Sequence, residues 1–306
     1  MYKRRSNVNE KNDKWITQMG TLREKRREQD RKKRYYKVMV MRAGILIAAV
    51  LATGFLIRKP IAKETINEPA EETHETDTLT VEVPEEDLTI EELLEKRAQE
   101  QGYTMDVYPQ KVLELLDKNP EAKDFVLEYP EKKDTYSTAN LAVTSVEGEI
   151  PLLIQWDEKW GYYPYAGNIM GLAGCGPTCI SMVASYLLED PSITPIYVAD
   201  YATRNGHCSD MAGTAWSLMT QGARDLGLNP KEVGLDEDVI RQYLENGRPI
   251  ICNVGEGIFT EHGHYLLFVG WEDGKIKLND PNRREFSEKL WEFEEIKDQI
   301  KNMWVY

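Results

Sequence analysis

Three short motifs hold the reactive side chains of this 306-residue chain. The first is Gly174-Cys175-Gly176-Pro177-Thr178, followed by an apolar run to Leu188. Proline suits the first turn of a helix, so the spacing predicts a helix over 177–188 with Cys175 at its mouth. Amide N–H groups and the helix dipole there favour negative charge and lower a thiol pKa. The flanking glycines let a substrate approach closely. The second motif, Gly263-His264-Tyr265, opens an apolar strand over 266–269. The third, Asn279-Asp280-Pro281, closes the next strand. Asp273-Gly274 favours a tight turn between the two. A hairpin of that kind makes the far ends neighbours and sets His264 beside Asn279 or Asp280. A carboxylate in that place fixes the imidazole tautomer and stabilises imidazolium. Nucleophile, base and orienting group together describe thiol-dependent acyl transfer.

The remaining candidates read as structural. Cys179 lies four residues after Cys175 on one helix face and is expected to pack. Cys252 sits in an apolar strand and belongs to the core. His207-Cys208 with Cys175 and Cys179 offers four soft ligands, but adjacent residues rarely both reach one tetrahedral ion. No metal or other cofactor is therefore expected. His262 reads as a surface-loop residue and His74 as a solvated spacer. Trp216 fits a cleft wall and a core position equally well. Without an activated thiol, the same domain would be an inactive peptide-binding module at the cell surface, the alternative to an enzyme.

The elements that must position these residues run helices first, strands last. Thr89-Ile90-Glu91-Glu92 is a capping box opening a helix to about Gln101. Two short helices fit 109–118 and 120–129, the second with Asn119 as cap and Pro120 at its first position. The segment 88–147 thus reads as a small helical region and linker, polar from 130 onward. From 148 the composition changes to Trp, Tyr and Gly. Helices are expected near 195–205, 213–227 and 236–246, then strands at 249–254, 265–270 and 275–278. That order is α+β rather than alternating.

Charge divides the chain. Residues 1–42 hold 15 Lys and Arg against 5 Asp and Glu, whereas the remainder carries a net −24. An acidic body repels phosphate backbones, so no nucleic acid is expected to bind the catalytic domain. Residues 38–57 form an almost wholly apolar stretch of 20 residues, about the ~20 required to cross a bilayer. The basic excess before it predicts a single-pass helix with a cytosolic tail, 1–37. Residues 58–87 are rich in Glu, Thr and Pro and read as a disordered acidic stalk. The catalytic domain is then expected outside the cell membrane.

Gln155-Trp156-Asp157 with Trp160-Gly161-Tyr162, Gly174-Cys175-Gly176-Pro177-Thr178, Gly263-His264-Tyr265 and Asp280-Pro281 occur in the order that resembles the C39-like family of papain-like cysteine peptidases. The resemblance covers 148–306. It implies a papain-like fold and hydrolysis of peptide bonds, in a peptide or the cell envelope, through an acyl-enzyme. It also implies Cys175 as nucleophile, His264 as base and Asp280 as orienting acid. Relatives carry an oxyanion-hole Gln shortly before the nucleophile, but 168–173 contains none. Gln155 takes that role if the intervening loop is an insertion.

Overall fold

Helical turns begin at Glu85 and the last strand ends at Val305. The computed structural model describes residues 84–136, 142–144 and 148–306, which fall within one compact unit, Thr80–Tyr306. The predicted tail 1–37, the apolar span 38–57 and most of the stalk lie outside the described residues. Among the described residues no helix is long and apolar enough to cross a membrane. The last stalk residues form a single turn, Glu85–Asp87. Glu85 there pairs with Lys96 at 2.9 Å and Arg97 at 3.2 Å, surface contacts that add little.

The helical layer comprises α1 (Ile90–Glu100), α2 (Gln110–Lys118) and α3 (Lys123–Leu127). The capping box forms as expected: Thr89 Oγ1 accepts from Glu92 N at 3.2 Å, and Glu92 Oε2 accepts from Thr89 N at 2.8 Å. The helix expected over 120–129 is instead broken into a 3-10 turn, Pro120–Ala122, then α3, then Tyr129–Lys132. Pro130 cannot donate to an i−4 carbonyl and forces the second restart. The layer packs directly on the Trp- and Tyr-rich segment after it. Phe125 stacks on Tyr162 with ring centroids 4.4 Å apart. A Cβ at Gly161 or Gly171 would lie 2.6 Å from that ring, so both glycines are required for it to seat. Leu94, Val112, Leu116 and Phe125 share one buried cluster with Ile154, Trp156 and Tyr162. Burying each large apolar side chain is worth about 1.5–3 kcal/mol. Val143, inside the predicted polar linker, is also buried, and its N–H donates to Pro191 O at 2.9 Å.

Next come α4 (Cys175–Leu187), α5 (Pro195–Arg204) and α6 (Glu237–Glu245). Helix α4 is buried on every side from 176 to 185, as an apolar helix inside a domain must be. The helix expected over 213–227 does not form. Gly213-Thr214 pairs as a strand with Cys208-Ser209, and only Gln221–Asp225 is α-helical. Gly213 has φ +70, a turn conformation incompatible with a helix start. The Ala215 N–H goes to His207 O at 2.8 Å rather than to a helical partner.

The sheet contains β1 (Lys231–Val233), β2 (Ile250–Val254), β3 (His264–Glu272), β4 (Lys275–Asn279), β5 (Leu290–Trp291) and β6 (Ile300–Val305). Its order is β1-β6-β2-β3-β4-β5, antiparallel throughout. The mixed helical and antiparallel architecture agrees with the expected α+β class. Strands β3 and β4 are joined by Asp273-Gly274, both at positive φ (+51 and +78) with Glu272 opposite Lys275. That is the two-residue hairpin whose twist matches the flanking strands.

Candidate active site

Cys175 is the first residue of α4, where an amide N–H has no acceptor within its own helix. Its side chain is partly exposed. Gly176 holds the next position because a Cβ there would lie 2.6 Å from the Thr214 methyl. The Cys208–Thr214 ribbon therefore lies directly against the mouth of α4. His264 is the first residue of β3, opposite Val254 on β2. It is 7% exposed. Asp280 follows the last residue of β4 and is 1% exposed.

The hairpin brings His264 and Asp280 together. His264 Nε2 lies 2.8 Å from Asp280 Oδ1, and the Cys175 side chain is near enough to act on the charge of the same imidazole. Nε2 is thus committed to the carboxylate, and Nδ1 is the ring nitrogen it does not engage. Asp280 Oδ1 also accepts the N–H groups of Asn282 at 2.7 Å and Arg283 at 3.3 Å. The Asp280 N–H donates to Ser287 Oγ at 2.9 Å. Asn279, the other residue left open by the sequence, turns away and donates to Pro151 O at 3.2 Å.

Burial disfavours an imidazolium at His264, yet the Asp280 charge and hydrogen bond outweigh it, aided by Cys175. The result is a pKa pushed up to about 10. A cationic imidazole beside a thiol at a helix start is the arrangement that stabilises thiolate. The other thiols lack such a setting. Burial raises the pKa of Cys179, whose Sγ lies 3.6 Å from Tyr265 O, and of Cys252 in β2. Cys208 is partly exposed, 3.6 Å from Thr203 Oγ1.

Gln155 is buried. Its backbone N–H donates to Pro281 O at 2.7 Å, and Nε2 donates to Gly171 O at 2.8 Å. One amide hydrogen is thereby committed and the second remains. His262 and Gln155 both line a cavity of about 340 Å³ together with Lys111, Leu115 and Asn282. His207 is held by Ser217 Oγ at 2.8 Å and stacks on Tyr201. Among the described residues, no three His, Cys, Asp or Glu side chains are grouped as metal ligands would be.

Asn253 was not a candidate from sequence. Its Nδ2 donates to His264 O at 3.2 Å, and its Oδ1 accepts from Trp216 Nε1 at 3.2 Å. Trp216, half exposed, also meets Trp304 edge-on. A polar residue inside the apolar run of β2 is the only signal that marked Asn253.

The profile of the Peptidase_C39 like family matches residues 147–306, just over half of the chain. The chain belongs to that family. Two solved C39 structures resemble it. One is the peptidase domain of ComA from Streptococcus, a bi-functional ABC transporter involved in a quorum-sensing pathway. It is 19% identical, with a TM-score of 0.35, and the match covers 44% of this chain and 90% of that one. The other is a C39-like peptidase from Bacillus anthracis, 12% identical with a TM-score of 0.31, covering 52% and 95% respectively. No curated protein matches the chain. In this C39-like chain the family region starts after the helical layer, so α1–α3 lie outside the part that the profile describes.

Proposed function

We propose that the chain is a membrane-anchored cysteine peptidase whose catalytic domain works outside the cell. The observation that carries the catalytic part is the buried His264–Asp280 bond, with Cys175 near enough to act on the same imidazole. The Cys175 thiolate attacks a peptide carbonyl carbon, forming a C–S bond and an oxyanion. The Cys175 backbone N–H and the remaining Gln155 amide hydrogen stabilise that oxygen. His264 gives its proton to the nitrogen as the C–N bond breaks, releasing the amine and leaving an acyl-enzyme. The neutral imidazole then takes a proton from water. The hydroxide attacks the thioester, the acid is released and the thiolate–imidazolium pair returns. Asp280 keeps the ring oriented and favours its protonated form at each end of the cycle, without itself taking the proton.

The anchor rests on the apolar stretch 38–57 and the basic excess before it. Membranes stripped with alkaline carbonate should retain the protein, and protease added to intact cells should remove its C-terminal part. Release by carbonate would refute the anchor.

Catalysis is tested by incubating the full-length protein, and its Cys175→Ala variant, with a mixed peptide library. Cleavage by the first and not the second is expected. Equal cleavage by both removes Cys175 from the mechanism.

A further inference from the structure

The corner between α2 and α3, residues 118–121, grips both chain segments that carry the imidazole and its acid. Asn119 is 2% exposed. Its Oδ1 accepts from Glu121 N at 3.3 Å, and its Nδ2 donates to Asn282 O at 2.5 Å. The same side chain therefore caps a turn and reaches 163 residues along the chain. Asn282 in turn gives its N–H to Asp280 Oδ1 at 2.7 Å. One residue further on, Arg283 Nη2 donates to Lys118 O at 2.5 Å. The Glu121 carboxylate accepts from Arg284 N at 3.1 Å and Glu285 N at 3.2 Å. On the other side, Lys118 Nζ pairs with Glu261 Oε2 at 2.7 Å, three residues before His264.

These contacts converge on the backbone that presents Asp280, and they come from outside the family region. The carboxylate accepts N–H groups from Asn282 and Arg283, the two residues whose backbone and side chain the corner holds. Shifting that loop by a fraction of an ångström lengthens the His264–Asp280 bond without touching either residue. We propose that the helical layer is a positioning element of the catalytic site, with Asn119 and Glu121 as the residues that set the Asp280 loop.

The inference rests on the Cys175–His264–Asp280 reading, and deepens it by naming what holds the acid in place. Charged groups acting on the imidazole are Asp280, from the end of β4, and Cys175, from the start of α4. If the loop slips, the imidazole pKa falls and the thiolate–imidazolium pair gives way to thiol and neutral imidazole. Each unit lost from that pKa lowers the ratio of ion pair to neutral pair about tenfold.

The test is iodoacetamide labelling of the full-length protein across pH 5–9, with each of the four thiols followed by mass spectrometry. Asn119→Asp keeps the capping oxygen but sets an acceptor against Asn282 O. Glu121→Gln keeps the size and loses one of the two acceptors. Both should slow Cys175 labelling at pH 6 by about tenfold and move its midpoint to higher pH, while Cys179 and Cys252 stay protected. A loosened fold gives the opposite pattern, with buried thiols opening, and overturns the inference. So does wild-type labelling of Cys175 in either folded variant. His264→Ala is the separate control. If Cys175 labels as fast without His264, the dyad itself is wrong, whatever the corner variants do.

Discussion

Asp280 Oδ1 stands 2.8 Å from His264 Nε2 while accepting two backbone N–H groups of its own loop. The acid is thus aimed from both directions before any substrate arrives. Its charge and hydrogen bond push the imidazole pKa up against the effect of burial, and the hairpin that delivers it is short.

Replacing Asp280 by Asn keeps the shape and removes the charge. The imidazole then loses the partner that overcomes burial, and its pKa falls from about 10. Turnover should drop about 10²–10⁴-fold. The alkaline limb of the kcat/KM profile should move to lower pH. An unchanged limb would show that Asp280 does not set the imidazole charge.

His264 also ties stability to pH. Its folded-state pKa lies above its unfolded value of about 6.5, so its contribution is full below that pH and fades as pH rises toward about 10. The Tm gap between wild type and His264→Gln should therefore be wider at pH 6 than at pH 10. Calorimetry at both values checks it, and a gap that widens with pH contradicts the ion pair.

Gln155→Ala should separate chemistry from nucleophile activation. Losing one oxyanion donor typically costs about 10²–10³ in turnover. Cys175 alkylation, which needs no oxyanion, should stay near the wild-type rate. A parallel loss in alkylation would mean that Gln155 acts on the thiol and not on the carbonyl.

Gly171→Ala forces a methyl to 2.6 Å from the Phe125 ring. Overpacking of that kind destabilises by about 1–3 kcal/mol. Phe125→Leu should recover part of the loss, giving a double-mutant cycle that is not additive. Additive unfolding energies from denaturant titration would place the strain elsewhere.

Much of the site was legible because its geometry is local. Cys175 at a helix mouth, a His opening one hairpin strand and an acid closing the other follow from capping and hairpin rules alone. The same rules located β2, β3 and β4 to within a residue or two. What failed was the stretch 213–227, where apolar spacing suggested a helix. There a positive φ at Gly213 and pairing with Cys208 prevailed. Strand β6 also went unread, although it lies between β1 and β2. Its six residues, Ile300–Val305, have no clean alternation, and their partners begin 50 residues or more earlier. Asn119 carried a visible local role as a helix cap. Its second bond, to a carbonyl at 282, has no trace in sequence spacing.

The seat of Phe125 against Gly161 and Gly171 has one more consequence. Prosegments that are shed to switch a hydrolase on must come away from a surface content to meet water. Here the departure of α1–α3 would strip cover from Ile154, Trp156 and Tyr162, leaving an oily scar on the remaining half. A fragment begun at residue 147 should clump with its own kind, so proteolytic trimming at that point would destabilise what is left.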